Sequence, residues 1–108
     1  ALEAAIDALE EAARWLGGRL ATAPNDAAAG SAPFMRMMGV VAGGYYLTLA
    51  GIAAARLLEG GDPRIDLLTD KVSITRFYAE QILPTAAGEL GAVKGGAELF
   101  YAIPTDRL

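Results

Sequence analysis

Apolar residues recur at helical spacing over the first twenty positions of the chain. The steps between them are 4, 3, 4, 3 and 4 residues, which is typical of an amphipathic helix with one buried stripe. The stripe consists of Leu2, Ile6, Leu9, Ala13, Leu16 and Leu20. Most charged residues of this segment lie off the stripe, so we expect the stripe to face a partner helix and the charges to face solvent.

The stretch that follows, residues 21–33, is small, polar and contains two prolines, Pro24 and Pro33. This composition predicts a connecting loop. Pro33 suits the first turn of a helix, where a missing N–H costs nothing. The sequence therefore predicts a second helix from about Pro33 to Glu59, ended by the glycine pair 60–61.

The centre of this second helix, Met37–Ala55, is 19 residues long and carries no charge, which reaches the length of a membrane-spanning helix. Four of these residues are Gly and five are Ala, however, and they add little to the free energy of transfer into lipid. Positive charge flanks both ends, at Arg36 and Arg56, so the charges indicate no preferred orientation across a membrane. Because the neighbouring helices are amphipathic, we predict a buried central helix of a soluble bundle and no membrane span.

A third helix is predicted to begin at Asp62 and Pro63, as N-cap and first residue. The short connection from the second helix makes the two antiparallel. The predicted inner face consists of Ile65, Leu68, Val72, Thr75, Ala79 and Ile82. Pro84 predicts a kink or a restart before a last helical stretch. The predicted fold class is thus all-α: one domain, residues 1–108, forming an antiparallel bundle of three to four main helices with a Pro-kinked last helix.

Composition limits the chemistry that the chain can perform. It has 108 residues, a net charge of −4, and neither cysteine nor histidine. Thiolate chemistry and the commonest general base and metal ligand are therefore excluded. The nine Lys and Arg residues are scattered, which argues against nucleic acid as a partner. The carboxylates of Glu10, Glu11, Asp66 and Asp70 are interpreted as surface charge, so we predict no catalytic, cofactor-binding or metal-binding residue.

Two sets of residues are predicted to serve packing. Gly39, Gly43 and Gly51 are expected to form a groove in which another helix packs closely, with Tyr45 beside it. Arg76 and Glu80 stand four residues apart and are expected to form a structural ion pair rather than a substrate contact.

Two stretches resemble a known family: "SAPFMRMMGVVAGGYY", residues 31–46, and "KVSITRFYAEQILP", residues 71–84. Together with the opening "ALEEAARWL", residues 8–16, they are similar to the C-terminal helical extension of large bacterial acyl-CoA dehydrogenases. The similarity covers nearly the whole chain. Its motifs are packing patterns and not catalytic signatures.

The resemblance implies a parent enzyme that binds FAD and oxidises acyl-CoA thioesters. The catalytic glutamate and the flavin-binding segments of such enzymes lie upstream, and no position here matches them. The chain would then be a cytoplasmic C-terminal fragment without a cofactor of its own. It would pack on the dehydrogenase body and on a second subunit of a homo-oligomer. The alternative is a free-standing helical module for protein–protein interaction or dimerisation.

Overall fold

The computed structural model describes residues 1–107, and within them the regular structure is entirely helical. The predicted all-α class is confirmed. The α-helices are α1 (Leu2–Thr22), α2 (Pro24–Glu59), α3 (Ile65–Phe77), α4 (Pro84–Gly88) and α5 (Leu90–Val93). A π-helical turn, Tyr78–Ile82, joins α3 to α4, and two 3₁₀ turns, Glu98–Tyr101 and Thr105–Arg107, follow α5.

The predicted loop between the first two helices was wrong. Ala23 alone separates α1 from α2, which begins at Pro24 rather than at Pro33. Pro24 takes the first-turn position that we had assigned to Pro33. The residues between the two prolines are rich in alanine, the strongest helix former, and Pro33 is accommodated inside the helix as a buried residue.

The helices wrap around α2, which is 36 residues long. α1 runs antiparallel to the first half of α2, and α3 runs antiparallel to the second half. After the π-turn, α4 and α5 continue along the first half of α2, where they contact both α1 and α2. At one end of the molecule α1, α2 and the α4–α5 segment are therefore in mutual contact, and at the other end α2 packs against α3 only.

This arrangement is long and flat. The principal extents are 64 × 29 × 14 Å. The radius of gyration is 18.9 Å, against about 13 Å for a compact domain of this length.

The contact between α1 and α2 is made by alanines, which corrects the predicted stripe. Ala5, Ala8 and Ala12 are buried, whereas Ile6 and Leu20 are exposed. Among the other stripe residues Ala13 is exposed, and Leu2, Leu9 and Leu16 are half-buried. Short alanine side chains let α1 approach α2 closely, so the larger apolar side chains lie at the rim of the contact.

Because of the turn between α2 and α3, α3 begins later than predicted. Gly61 has a φ of 82°, a conformation that favours glycine. The Asp62 carboxylate accepts the Arg64 backbone N–H at 2.9 Å and its guanidinium at 2.8 Å, which lowers the pKa of Asp62 to about 2. Asp62 thus closes a turn rather than capping the helix. As a result α3 begins at Ile65 and not at Pro63.

The predicted interruption near Pro84 takes the form of the π-turn. The Leu83 N–H donates to the Tyr78 carbonyl, five residues earlier, at 2.9 Å. Pro84 has no N–H to offer and begins α4. The wider turn leaves Leu83 buried, with 1 % of its surface exposed.

Adding one methyl group should have opposite effects on stability at two glycines of α2. At Gly30 a Cβ would collide with the Val93 backbone carbonyl, whereas at Gly39 it would meet open space. Overpacking costs about 1–3 kcal/mol, and Gly→Ala in an open helical site gains up to about 1 kcal/mol. We expect Gly30→Ala to lower the free energy of unfolding and Gly39→Ala to raise it, as measured by denaturant titration. Equal effects would contradict the packing of α5 on α2.

Candidate functional site

A close interhelical approach, made at three glycines, lies between the second half of α2 and the chain running from α3 through the π-turn to Leu83. A Cβ on Gly44 would lie 2.6 Å from Leu83 Cδ2, and one on Gly51 would lie 2.6 Å from Thr75 Oγ1. At Gly43 the added Cβ would be 2.7 Å from the Tyr78 hydroxyl. Because these three glycines have no side chain, the opposing side chains fill the space beside them.

Two of those side chains reach the backbone of α2. The Tyr78 hydroxyl donates to the Val40 carbonyl at 2.6 Å. The single Thr75 hydroxyl proton is shared between the Leu47 carbonyl at 3.1 Å and the Lys71 carbonyl of its own helix at 2.9 Å. The two accepting carbonyls of α2 are seven residues apart, about two helical turns. The hydrogen bonds fix the register of α3 on α2 at two points.

The structure brings only part of the predicted groove together. Gly43 and Gly51 lie against α3 and the π-turn, and Gly44, which we had not included, lies beside them. Gly39 does not belong to this surface, because it is exposed and nothing lies near its Cβ position. Tyr45 is also turned away, with 48 % of its surface exposed. Residue-to-residue spacing alone did not show which side of α2 the returning chain follows.

The Arg76–Glu80 pair lies on the outside of the molecule, with Nε to Oε1 at 2.9 Å. The hydrogen bond raises the pKa of Arg76, but both side chains are mostly exposed, so the pair adds little stability. Two other pairs join α2 and α1 to the residues on either side of α5: Arg36 to Glu89 at 3.1 Å, and Glu11 to Lys94 at 3.0 Å. Sequence spacing could not reveal these long-range pairs.

A second apolar stripe runs along α2 and is exposed. Its steps of 3, 4, 3, 4 and 3 residues are those of a helix-packing seam. We call it the outer stripe; it consists of Met35, Met38, Ala42, Tyr45, Leu49 and Ile52. Of these residues Tyr45, Leu49 and Ile52 are 48 %, 49 % and 45 % exposed. The outer stripe has the spacing that fits another helix.

The outer stripe corrects the expectation that Met37–Ala55 is buried all round. Only 28 % of the most apolar window of α2 is buried. The helix is also long and apolar enough to cross a membrane by length and composition, a test that the core helices of soluble proteins pass as well.

The end of the described chain exposes further apolar side chains. Leu99, Phe100 and Tyr101 are 81 %, 70 % and 73 % exposed. Asp26 holds the start of this segment, because its carboxylate accepts the Ala97 N–H at 2.8 Å. The tail thus adds apolar surface near the N-terminal end of α2.

The exposed area can be compared with that of a compact protein. The accessible surface is 7279 Å², whereas a compact monomer of 11.2 kDa has about 5,700 Å². The excess of about 1,600 Å² is about twice the roughly 800 Å² that one partner buries in a standard protein–protein interface. The buried hydrophobic residues are mostly alanines, so much of the larger apolar surface is outside.

The charged side chains of residues 1–107 lie at the surface. No polar or charged residue among them is buried, and no cluster of three or more acidic side chains could hold a metal ion. The carboxylates of Glu10, Glu11, Asp66 and Asp70 are on exposed residues.

Comparison with known proteins assigns this helical unit to a family. A family model described as acetyl-CoA dehydrogenase C-terminal like matches residues 1–104. The chain belongs to this family of acyl-CoA dehydrogenase C-terminal domains, in agreement with the resemblance seen in the sequence.

One relative is 3-methylmercaptopropionyl-CoA dehydrogenase of Ruegeria pomeroyi, 40 % identical over 74 residues. The match covers 65 % of this chain and 12 % of the relative, so the chain spans only a small part of that protein's length. No solved structure matches the chain.

Removing the Tyr78 hydroxyl tests the contact that fixes α3 on α2. We expect Tyr78→Phe to lower the free energy of unfolding by about 0.5–1.5 kcal/mol, the net value of one hydrogen bond. Tyr46→Phe is the matched control, because Tyr46 is 69 % exposed and should change stability little. Urea denaturation measures both variants; equal stability of the two would show that the Tyr78–Val40 hydrogen bond does not hold the helices.

Proposed function

We propose that the chain is the C-terminal accessory domain of a longer, FAD-dependent acyl-CoA dehydrogenase and packs on the body of that enzyme through the outer stripe of α2. The domain supplies no catalytic residue. The exposed outer stripe is the observation that carries the proposal, and the family membership supports it.

The spacing of the outer stripe specifies the kind of partner. Alternating steps of three and four residues present a straight row of side chains to a second helix. Met38, Tyr45 and Leu49 would supply most of the contact area, and the small Ala42 would allow a close crossing. We therefore expect helices of the dehydrogenase body to cover this face.

The chemistry would belong to the parent enzyme. In this proposal the FAD and the acyl-CoA thioester bind to the dehydrogenase body, and the domain described here holds neither. It stabilises the body and contributes to contacts between the subunits of a cytoplasmic homo-oligomer. The scattered positive charge makes nucleic acid a poor partner.

A lipid bilayer is a less suitable partner for the outer stripe than another protein. Tyr45 and Tyr46 lie in the middle of the uncharged stretch of α2, and both are largely exposed. Tyrosines of membrane-spanning helices concentrate at the two interfaces, not at the centre. A protein partner satisfies their hydroxyl groups more easily than lipid does.

A negative charge placed on the outer stripe tests whether this face is buried against the dehydrogenase body. Leu49→Asp places a charge on the outer stripe, and Ser73→Asp adds the same charge at an exposed position of α3. In the isolated chain we expect both variants to change stability by less than about 0.5 kcal/mol, because both sites face solvent. In the full-length enzyme Leu49→Asp alone should lower the melting temperature and speed release of the domain by limited proteolysis.

Three outcomes would contradict the proposed function. Identical behaviour of the two variants in the full-length enzyme would show that the outer stripe is not covered. Loss of concentration-dependent dimers of the isolated chain on Leu49→Asp would instead favour the free-standing dimerisation module. A flavin spectrum of the isolated chain would contradict the proposal that the domain binds no FAD.

A further inference from the structure

The surface of α2 that receives α1 continues beyond the point where α1 ends. Val41 and Ala5 meet in one buried cluster near the start of α1, which Leu2 also contacts. Further along α2 no part of α1 follows, and only α3 flanks the helix. The structure therefore leaves a groove between α2 and α3 in line with α1.

This groove is apolar and begins at the first residues of the chain. It encloses about 400 Å³. The lining residues include Leu2, Thr48, Gly51, Ile52, Ala55 and Val72. Gly51 forms part of its floor, and the Thr75 hydroxyl at that level is already bonded to backbone carbonyls of Leu47 and Lys71. Its walls thus offer apolar contact and few free polar groups.

We infer that the groove is occupied by the segment of the parent chain that immediately precedes Ala1, as a helical continuation of α1. This inference rests on the proposed function, because it requires the dehydrogenase body to lie upstream. It adds a second contact, made by the connecting segment, to the docking of the outer stripe.

Two observations select this occupant over a second copy of the chain. The relative is far longer than this chain, and the family is a C-terminal one, so the remainder of such an enzyme enters at Ala1. Ala1 itself lines the groove.

The dimensions of the groove limit the segment. The lining residues on α2 run from Thr48 to Ala55, over which the helix is roughly 12 Å long, enough for about two turns of a neighbouring helix. The part of the preceding segment that fills the groove should therefore be about eight residues of helix, with apolar residues every three or four positions.

Disulfide trapping in the full-length enzyme tests this placement, since the chain described here has no cysteine of its own. Ile52→Cys is combined with single cysteines scanned through the twelve positions before Ala1. Cysteines whose Cα atoms come within about 7 Å of each other can form a disulfide. We expect intrachain disulfides at upstream positions three or four residues apart. Ser73→Cys, on an exposed residue of α3, is the matched control and should yield none.

A second measurement keeps the test valid if a cysteine pair disturbs folding. In the single variant Val72→Cys, on the α3 wall of the groove and outside the outer stripe, maleimide labelling should be at least tenfold slower in the full-length enzyme than in the isolated chain. Absence of groove-specific disulfides together with equal labelling would overturn the inference. Disulfides between two chains would show that a second copy fills the groove, which also overturns it. If the domain stays resistant to proteolytic release in either case, the proposed function stands without this contact.

Discussion

The close approach of neighbouring helices to α2 is the constraint on which the rest of the structure depends. At the points where α5, the π-turn and α3 cross α2, the α2 residue is a glycine and has no side chain. These residues are Gly30, Gly44 and Gly51. Because the helices come so close, the Tyr78 hydroxyl can reach the Val40 carbonyl and Leu83 can fill the space above Gly44. The same closeness appears between α1 and α2, where alanines form the contact. Stability here comes from fitting small residues together rather than from a large apolar core.

Close packing has a consequence for the surface. When alanines and glycines occupy the contacts, the larger apolar side chains remain outside, on the outer stripe of α2 and in the tail. Contiguous exposed apolar surface of this kind is typical of protein interaction sites. The membership in a family of dehydrogenase C-terminal domains supplies the partner in our proposal, namely the body of the same enzyme. The groove in line with α1 is a second uncovered contact of the same kind.

Some of this could be predicted from the sequence, because it depends on local properties. Helical periodicity and the turn glycines predicted the all-α fold and the antiparallel α2–α3 pair. The start of α2 was misplaced, since Pro24 and Pro33 fit a first helical turn equally well and only tertiary contact shows that Pro33 is tolerated inside. The buried side of α1 was misjudged because hydrophobicity favours leucine, whereas close approach favours alanine, as at Ala12. Gly39 and Gly44 likewise have the same intrinsic properties, and only the path of the returning chain distinguishes them.

Hydroxyl-radical footprinting tests the central claim most directly, because it reports the solvent exposure of individual side chains. The measurement compares Met35, Met38 and Tyr45 of the outer stripe in the isolated chain and in the full-length enzyme, with Trp15 as a reference in α1. All are expected to be labelled in the isolated chain, where the three α2 residues are exposed. If the outer stripe is the docking face, these α2 residues should become protected in the full-length enzyme. Equal labelling of Met35, Met38 and Tyr45 in both forms would contradict the account.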